Sequence, residues 1–331
     1  MHNNKRIYSL DLLRGIAGYG VAICHYFAFA KNIEIFEYYS FIFVEFFFVL
    51  SGFVLSNQLL KVASDKNNLK IFYLRRWYRT IPLYIIALLF FTVLSGNFNF
   101  DFFKYLIFIQ KIIPDFLNND YFMVSWSLAI EEFFYFLFPI YLIFFGRKSI
   151  LISVISFVLI LSFLKFIFAD YYTSSFIRTA TLLRLDAIAL GFLLALLINK
   201  INRTAIFIIL FFLLAGLLIF YFQNILNSNN TKYVLSFVFV SEIFSMILLI
   251  LFYKYNYLLK KNSIIKFCKS VGNQTYSVYL FHLIILYFIK NTNIAFINNF
   301  FVYLLLIVIS SMLVYKFFEE PILKIRPNYK N

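Results

Sequence analysis

Apolar runs close to the ~20 residues that cross a bilayer recur along this chain, separated by short hydrophilic gaps. They predict spanning helices over 8–30, 38–60, 79–96, 124–146, 149–168, 177–199, 203–222, 233–253, 272–290 and 296–318. The stretch 97–123 breaks the pattern. Phe102, Phe103, Tyr105, Leu106 and Phe108 are interrupted there by Lys104 and Lys111, which reads as an interfacial segment. The expected fold is all-α: a polytopic integral membrane protein of about ten transmembrane helices. The longest gap, roughly 27 residues, is too short for an independent domain. Residues 1–331 are therefore expected to form one transmembrane domain with no appended extracytoplasmic domain.

Composition agrees and removes one class of function. Of 331 residues, 63% are hydrophobic and 14% charged, where a soluble chain carries roughly 25% charged. Mean hydropathy is +0.85. A net charge of +15 would suggest nucleic acid in a soluble protein. Here the lysines and arginines sit in the gaps, where they anchor topology and attract anionic lipids or an anionic ligand. Membrane lipids are the expected surroundings, and nucleic acid is not an expected partner.

With the N-terminus inside, the inner segments hold 21 Lys and Arg and the outer ones 7, with Arg14 and Arg184 inside spans. That bias places both termini in the cytoplasm. The first apolar run continues past Gly15 and Gly18 without a small-x-small cleavage site, so it is expected to remain as a helix. The two cysteines, Cys24 and Cys268, fall near opposite ends of the membrane and make no disulfide framework. No cluster with metal-ligand spacing is present, so no metal is expected.

Ionisable groups inside a bilayer are costly and mark cavities. The candidates are Arg14, His25, Glu45, Glu131, Glu132, Arg184, Asp186, Glu242 and His282. At about 1.5 Å per residue, His25, Glu45, Glu131, Arg184, Asp186 and His282 fall in one layer, roughly 9–14 Å from the outer face. Arg14 and His25 share a helix face about 16 Å apart. Gly15 and Gly18 between them admit close approach of either a ligand or another helix. Each polar residue also has a structural reading. Arg184 can neutralise Glu131, Glu45 or Asp186, and Arg75, Arg76 and Arg79 can serve as topology anchors. Glu132 is turned about 100° from Glu131, so one of the two is expected to reach the cluster.

The ordered motifs resemble acyltransferase family 3, the polytopic membrane O-acyltransferases that modify bacterial surface polysaccharides. The resemblance begins with Ser9-Leu10-Asp11-Leu12-Leu13-Arg14-Gly15, with His25 eleven residues after Arg14. It continues through Glu45–Phe53, through Phe72-Tyr73-Leu74-Arg75-Arg76 with Arg79 and Pro82, and through Ser125-Trp126-Ser127 to Tyr135. Arg184-Leu185-Asp186-Ala187, Thr275–His282 and Phe318-Glu319-Glu320-Pro321 complete it, in order, over nearly the whole chain.

The resemblance implies that His25 is the catalytic base with Glu131 supporting it, and that Arg14, Arg75 and Arg76 bind an acyl-CoA. Glu45, Arg184, Asp186 and His282 are expected to bind substrate or support the site. Acyl-CoA, most often acetyl-CoA, would be a co-substrate rather than a resident cofactor. The acceptor would be a hydroxyl of a glycan or lipid-linked glycan, such as lipopolysaccharide O-antigen or capsule, and the location the bacterial cytoplasmic membrane. A secondary transporter or exporter with a polar mid-membrane site is the alternative class, although no two-fold repeat is visible. Oligomeric state is not legible.

Overall fold

The structure, a computed structural model, describes residues 6–146, 149–202, 204–227, 230–292 and 299–329. Lys5, Arg147, Lys148, Arg203 and Lys330, all counted in the charge bias, lie outside the described residues. The described chain is helical and contains no strand, as a backbone in lipid requires, because a helix satisfies every amide within its own segment.

The long helices are α1 (Tyr8–His25), α2 (Ile35–Ser64), α3 (Asn68–Ser95), α5 (Ser125–Phe145) and α6 (Ile150–Phe168). They continue with α9 (Thr204–Asn224), α10 (Thr231–Lys254), α11 (Asn262–Asn291) and α12 (Phe300–Val314). Short helices α4 (Asp101–Leu106), α7 (Ser174–Thr179), α8 (Leu185–Leu197) and α13 (Glu320–Ile325) connect them.

Among the described residues, eight helical segments are long and apolar enough to cross a membrane. They correspond to eight of the ten expected spans. The expected span 177–199 is instead broken: α7 ends at Thr179 and α8 begins at Leu185, which leaves only 13 residues in α8. Arg184 therefore lies just before α8 and Asp186 in its first turn, rather than several residues inside a helix. The expected span 272–290 is the later part of the 30-residue α11, whose first ten residues carry Lys266 and Lys269.

Sequence explains several helix ends. Ser149 caps α6, Thr173 caps α7 and Asn299 caps α12, each side chain accepting from a backbone amide of the first turn. Gly96 ends α3 with φ +69°, a left-handed conformation that a Cβ would oppose. α9 buries only Leu218 and is apolar all round, the mark of a helix facing lipid. The stretch 97–123 does not form a span. It folds onto Asp101, whose carboxylate accepts from Lys104 and from the backbone amides of Asn118 and Asn119.

Two turns of π-helix interrupt the α pattern, at Tyr26–Ala30 and Tyr315–Glu319. The second stands directly before Pro321, which cannot donate to the carbonyl one turn back and pushes it aside. The first follows His25. Such single turns concentrate at functional sites.

The chain divides into two compact units. One gathers residues up to Leu50 with Leu197–Leu226 and Phe239–Tyr315. The other holds Ser51–Leu196, Asn227–Val238 and the residues from Lys316 onward.

Candidate functional site

In the first unit, α1 packs against α11 along a stripe of small residues. A Cβ on Gly15 would stand 2.7 Å from Val271 Cγ2, and one on Gly18 2.7 Å from Thr275 Cγ2. Gly272 likewise faces the Asp11 backbone. The glycines thus serve helix packing, one of the two readings open from sequence. Seven residues, two turns, beyond Gly18 and Thr275 on the two helices stand His25 and His282.

These two histidines meet. His25 Nδ1 and His282 Nε2 are 2.8 Å apart, with the ring planes inclined by 23° and the centroids 5.1 Å apart. That centroid separation suits two rings joined end to end, so the bond runs along the ring planes. His282 Nδ1 lies 3.2 Å from the Val278 carbonyl oxygen, one turn back on α11. His282 has no exposed surface, whereas His25 is only partly buried. Phe29 and Tyr279 pack beside the rings.

The neighbouring backbone is pinned from two sides. Tyr303 of α12 donates its hydroxyl to Ala22 O at 3.0 Å, just before the π turn. Lys290 Nζ donates to Phe29 O at 2.8 Å, which fixes the far end of that turn. Arg14 is partly buried on α1, Glu45 is fully buried on α2, and Glu242 is buried on α10.

The second unit holds the other candidates in three groups. Glu131 accepts from Ser51 Oγ at 2.9 Å and from Tyr135 Oη at 2.8 Å, which joins the second motif to the fourth. Glu132 turns instead toward Thr80 and Arg76. The paired carboxylates therefore face different partners, as their 100° offset requires.

The basic group is built from Arg75, Arg76, Gln58 and the end of the chain. Arg76 donates to Gln58 Oε1 at 3.3 Å and lies over the Tyr135 ring. Arg75 donates to Pro327 O and Asn328 Oδ1, and both Arg75 and Lys61 lie over the Tyr329 ring. The Nε atoms of Arg75 and Arg76 are buried without a hydrogen-bond partner. Burial, with Arg75 and Arg79 nearby, lowers the Arg326 guanidinium from its ordinary value. Cations pressed together in this way suit a polyanion.

The third group is Asp186, paired with Lys165 and hydrogen-bonded by Ser162 Oγ at 3.2 Å. Lys165 and Asp186 are both fully buried. Lys165, one of the seven outer basic residues in the charge count, is an internal ion-pair partner, and Arg184, two residues before Asp186 in the chain, is also fully buried.

A cavity of about 310 Å³ lies in the same unit, walled by the segment after α4 and the segment around α7. Gln110, Lys111, Asp115, Asp120, Tyr171 and Tyr172 are among its lining residues. Gln110 donates to Ser125 O and Ser125 Oγ, which fixes its amide orientation and leaves its buried Oε1 without a partner. Asp120 accepts from Tyr105 and pairs with Lys111.

Sequence reading missed Ser51, Gln58, Lys165 and Tyr329 as site partners. Tyr135 was within reach, because it stands one helical turn after Glu131. Among the described residues, no group of three or more His, Cys, Asp or Glu side chains is placed to hold a metal ion.

A family profile described as an acyltransferase domain matches residues 7–316. The peptidoglycan O-acetyltransferase OatA of Listeria monocytogenes is 32% identical over 44% of this chain and 25% of its own length. The O-acetyltransferase OatA of Staphylococcus aureus is 27% identical over 98% of this chain and 58% of its own. The chain thus spans little more than half of the second relative and a quarter of the first. No solved structure matches the chain.

Proposed function

This chain belongs to acyltransferase family 3, and from that premise we propose that it is a membrane O-acyltransferase that uses acyl-CoA, most often acetyl-CoA. The observation that carries the reading is His25: a partly exposed imidazole held in place by a buried neighbour. His25 Nε2 takes the proton of an acceptor hydroxyl as the oxygen attacks the thioester carbonyl carbon. The tetrahedral intermediate then expels the thiolate by breaking its C–S bond, and the proton passes from His25 to the departing sulfur. The products are an ester and free CoA, and His25 returns to its starting state.

Donor recognition is assigned to arginines. Arg75 and Arg76 are the proposed partners of the CoA phosphates, since their unpartnered Nε–H groups are donors suited to phosphate oxygens. On such binding the terminal segment at Pro327 and Asn328 would yield Arg75 to the ligand. Arg14 supplies positive charge on the helix that bears His25. Glu131, whose carboxylate accepts from Ser51 and Tyr135, and Glu45, Arg184 and Asp186 are the proposed supporting residues.

The acceptor is proposed to be a glycan hydroxyl on the outer side of the bacterial cytoplasmic membrane. The Listeria relative is named for peptidoglycan, which joins lipopolysaccharide and capsule as a candidate. The cavity beside α7 supports a saccharide. Its volume is at the small end of the about 300–1,000 Å³ range of ligand clefts, and it combines tyrosines with carboxylate and amide groups. Tyr171 is 76% exposed and can offer a ring face.

The test is transfer of labelled acetyl from acetyl-CoA in membrane vesicles bearing wild type or His25→Ala. Loss of transfer at equal protein level supports the reading; equal transfer refutes His25 as the base.

A further inference from the structure

We propose that His282 is a positioning residue that selects the reactive tautomer of His25. It does so by accepting a hydrogen bond from His25 Nδ1–H, which leaves His25 Nε2 bare to take the substrate proton. The inference rests on the reading of His25 as the base.

Val278 O carries no proton, so its contact with His282 Nδ1 at 3.2 Å places a proton on that nitrogen. A neutral imidazole protonated at Nδ1 is bare at Nε2. The bare Nε2 faces His25 Nδ1 at 2.8 Å, so His25 Nδ1 must carry the proton between them. The same rule then leaves His25 Nε2 bare. One backbone carbonyl thus sets, through two rings, which nitrogen of the outer ring reacts. The reverse assignment would turn a lone pair of His282 Nδ1 against Val278 O. Avoiding that would require a second proton, and hence a positive charge, on a ring with no exposed surface.

The division of burial fits this division of labour. The positioning ring is wholly enclosed, and the reacting ring keeps an open edge. When His25 takes a proton at Nε2, its Nδ1–H bond to His282 becomes charge-assisted and stronger, as the acid of a triad strengthens its bond to histidine. A neutral acceptor meets this need without placing an anion in the membrane interior. His282 itself neither gains nor loses a proton over the cycle.

The fold builds the pair rather than merely permitting it. Gly15, Gly18 and Gly272 set the close α1–α11 approach, and Tyr303 and Lys290 pin the α1 backbone on either side of the π turn. His282 is fixed to its own helix through Val278. Displacing either helix breaks the bond.

The experiment is nitrogen NMR of the detergent-solubilised full chain labelled at histidine, together with kinetics of two variants. With three histidines in the chain, the His282→Gln spectrum assigns the pair. The expected spectrum has His25 protonated at Nδ1 and bare at Nε2. His282→Phe keeps a ring but removes the acceptor and should lower kcat about 100-fold or more, with donor KM unchanged. His282→Gln offers an acceptor oxygen and should recover most of that loss. An Nε2-protonated His25, a His282→Phe enzyme of full kcat, or a folded His282→Gln enzyme as slow as the Phe variant would each overturn the proposal. The spectrum of the wild-type chain decides the hydrogen bond even where a variant fails to fold. Full transfer by His25→Ala would instead defeat the underlying reading, so the two failures are distinguishable.

Discussion

Gly18→Ala probes the link between helix packing and chemistry. The added Cβ would stand 2.7 Å from Thr275 Cγ2, about 0.7 Å short of the 3.4 Å at which ordinary contact begins. Thr275 cannot easily rotate away, because its hydroxyl donates to Val271 O at 2.9 Å. The helices must therefore part by several tenths of an ångström. Overpacking of this kind costs about 1–3 kcal/mol. Two turns further on, the same displacement stretches a 2.8 Å bond toward 3.5 Å, where it ceases to be one. A misplacement near 1 Å can cost about 100-fold in rate, so a fall in kcat of roughly 10- to 100-fold is expected with little change in KM. The assay is single-substrate kinetics in vesicles beside thermal unfolding in detergent. Thr275→Ser removes Cγ2 and keeps the hydroxyl, so the double variant Gly18→Ala with Thr275→Ser should recover both stability and kcat. A single variant with wild-type kcat and stability would refute the reasoning, as would a double variant no better than the single.

Three further outcomes follow from the second unit. Lys165→Met leaves Asp186 buried without its cation and should destabilise the chain by about 3–5 kcal/mol, while Lys165→Met with Asp186→Leu should recover much of it; thermal unfolding checks both. Arg76→Ala should raise the acyl-CoA KM by about 10-fold or more at similar kcat, the value of one charged hydrogen bond; an unchanged KM would return Arg76 to a topology anchor. Burial pushes the Asp101 carboxyl up, but Lys104 and the amides of Asn119 and Asn118 outweigh this and hold it below its ordinary 3.8. A depressed folded value stabilises above the unfolded value, so the segment 107–120 should keep full protection from hydrogen exchange above about pH 3.8 and lose it progressively below. Asp101→Asn should abolish that dependence.

Much of this was legible in the sequence because the membrane leaves few choices. A long apolar run must be a helix, and eight of the expected spans stand where hydropathy placed them. The span at 177–199 failed because hydropathy averages over backbone breaks: residues 180–184 turn, and Arg184 sits in that turn rather than inside a helix. The pairing of His25 with His282 could be placed only to within a layer. Rise per residue gives depth, but not which helices are neighbours. That neighbourhood depends on Gly15, Gly18 and Gly272 finding Val271, Thr275 and Asp11, contacts more than 250 residues apart in the chain. Lys165 was misread for a related reason. Its position near a helix end looks like an anchor, and only the fold of α8 brings Asp186 against it. The role of Val278 lies in a backbone carbonyl, which no residue type announces.

The proposed chemistry depends on His25 as the base of acyl transfer. Its most direct test is mass spectrometry of host surface glycans from wild type, a deletion, and the deletion complemented with wild type or His25→Ala. Base-labile acetyl-sized groups should vanish in the deletion, return with the wild-type chain and stay absent with the variant. Return of those groups with His25→Ala would contradict it.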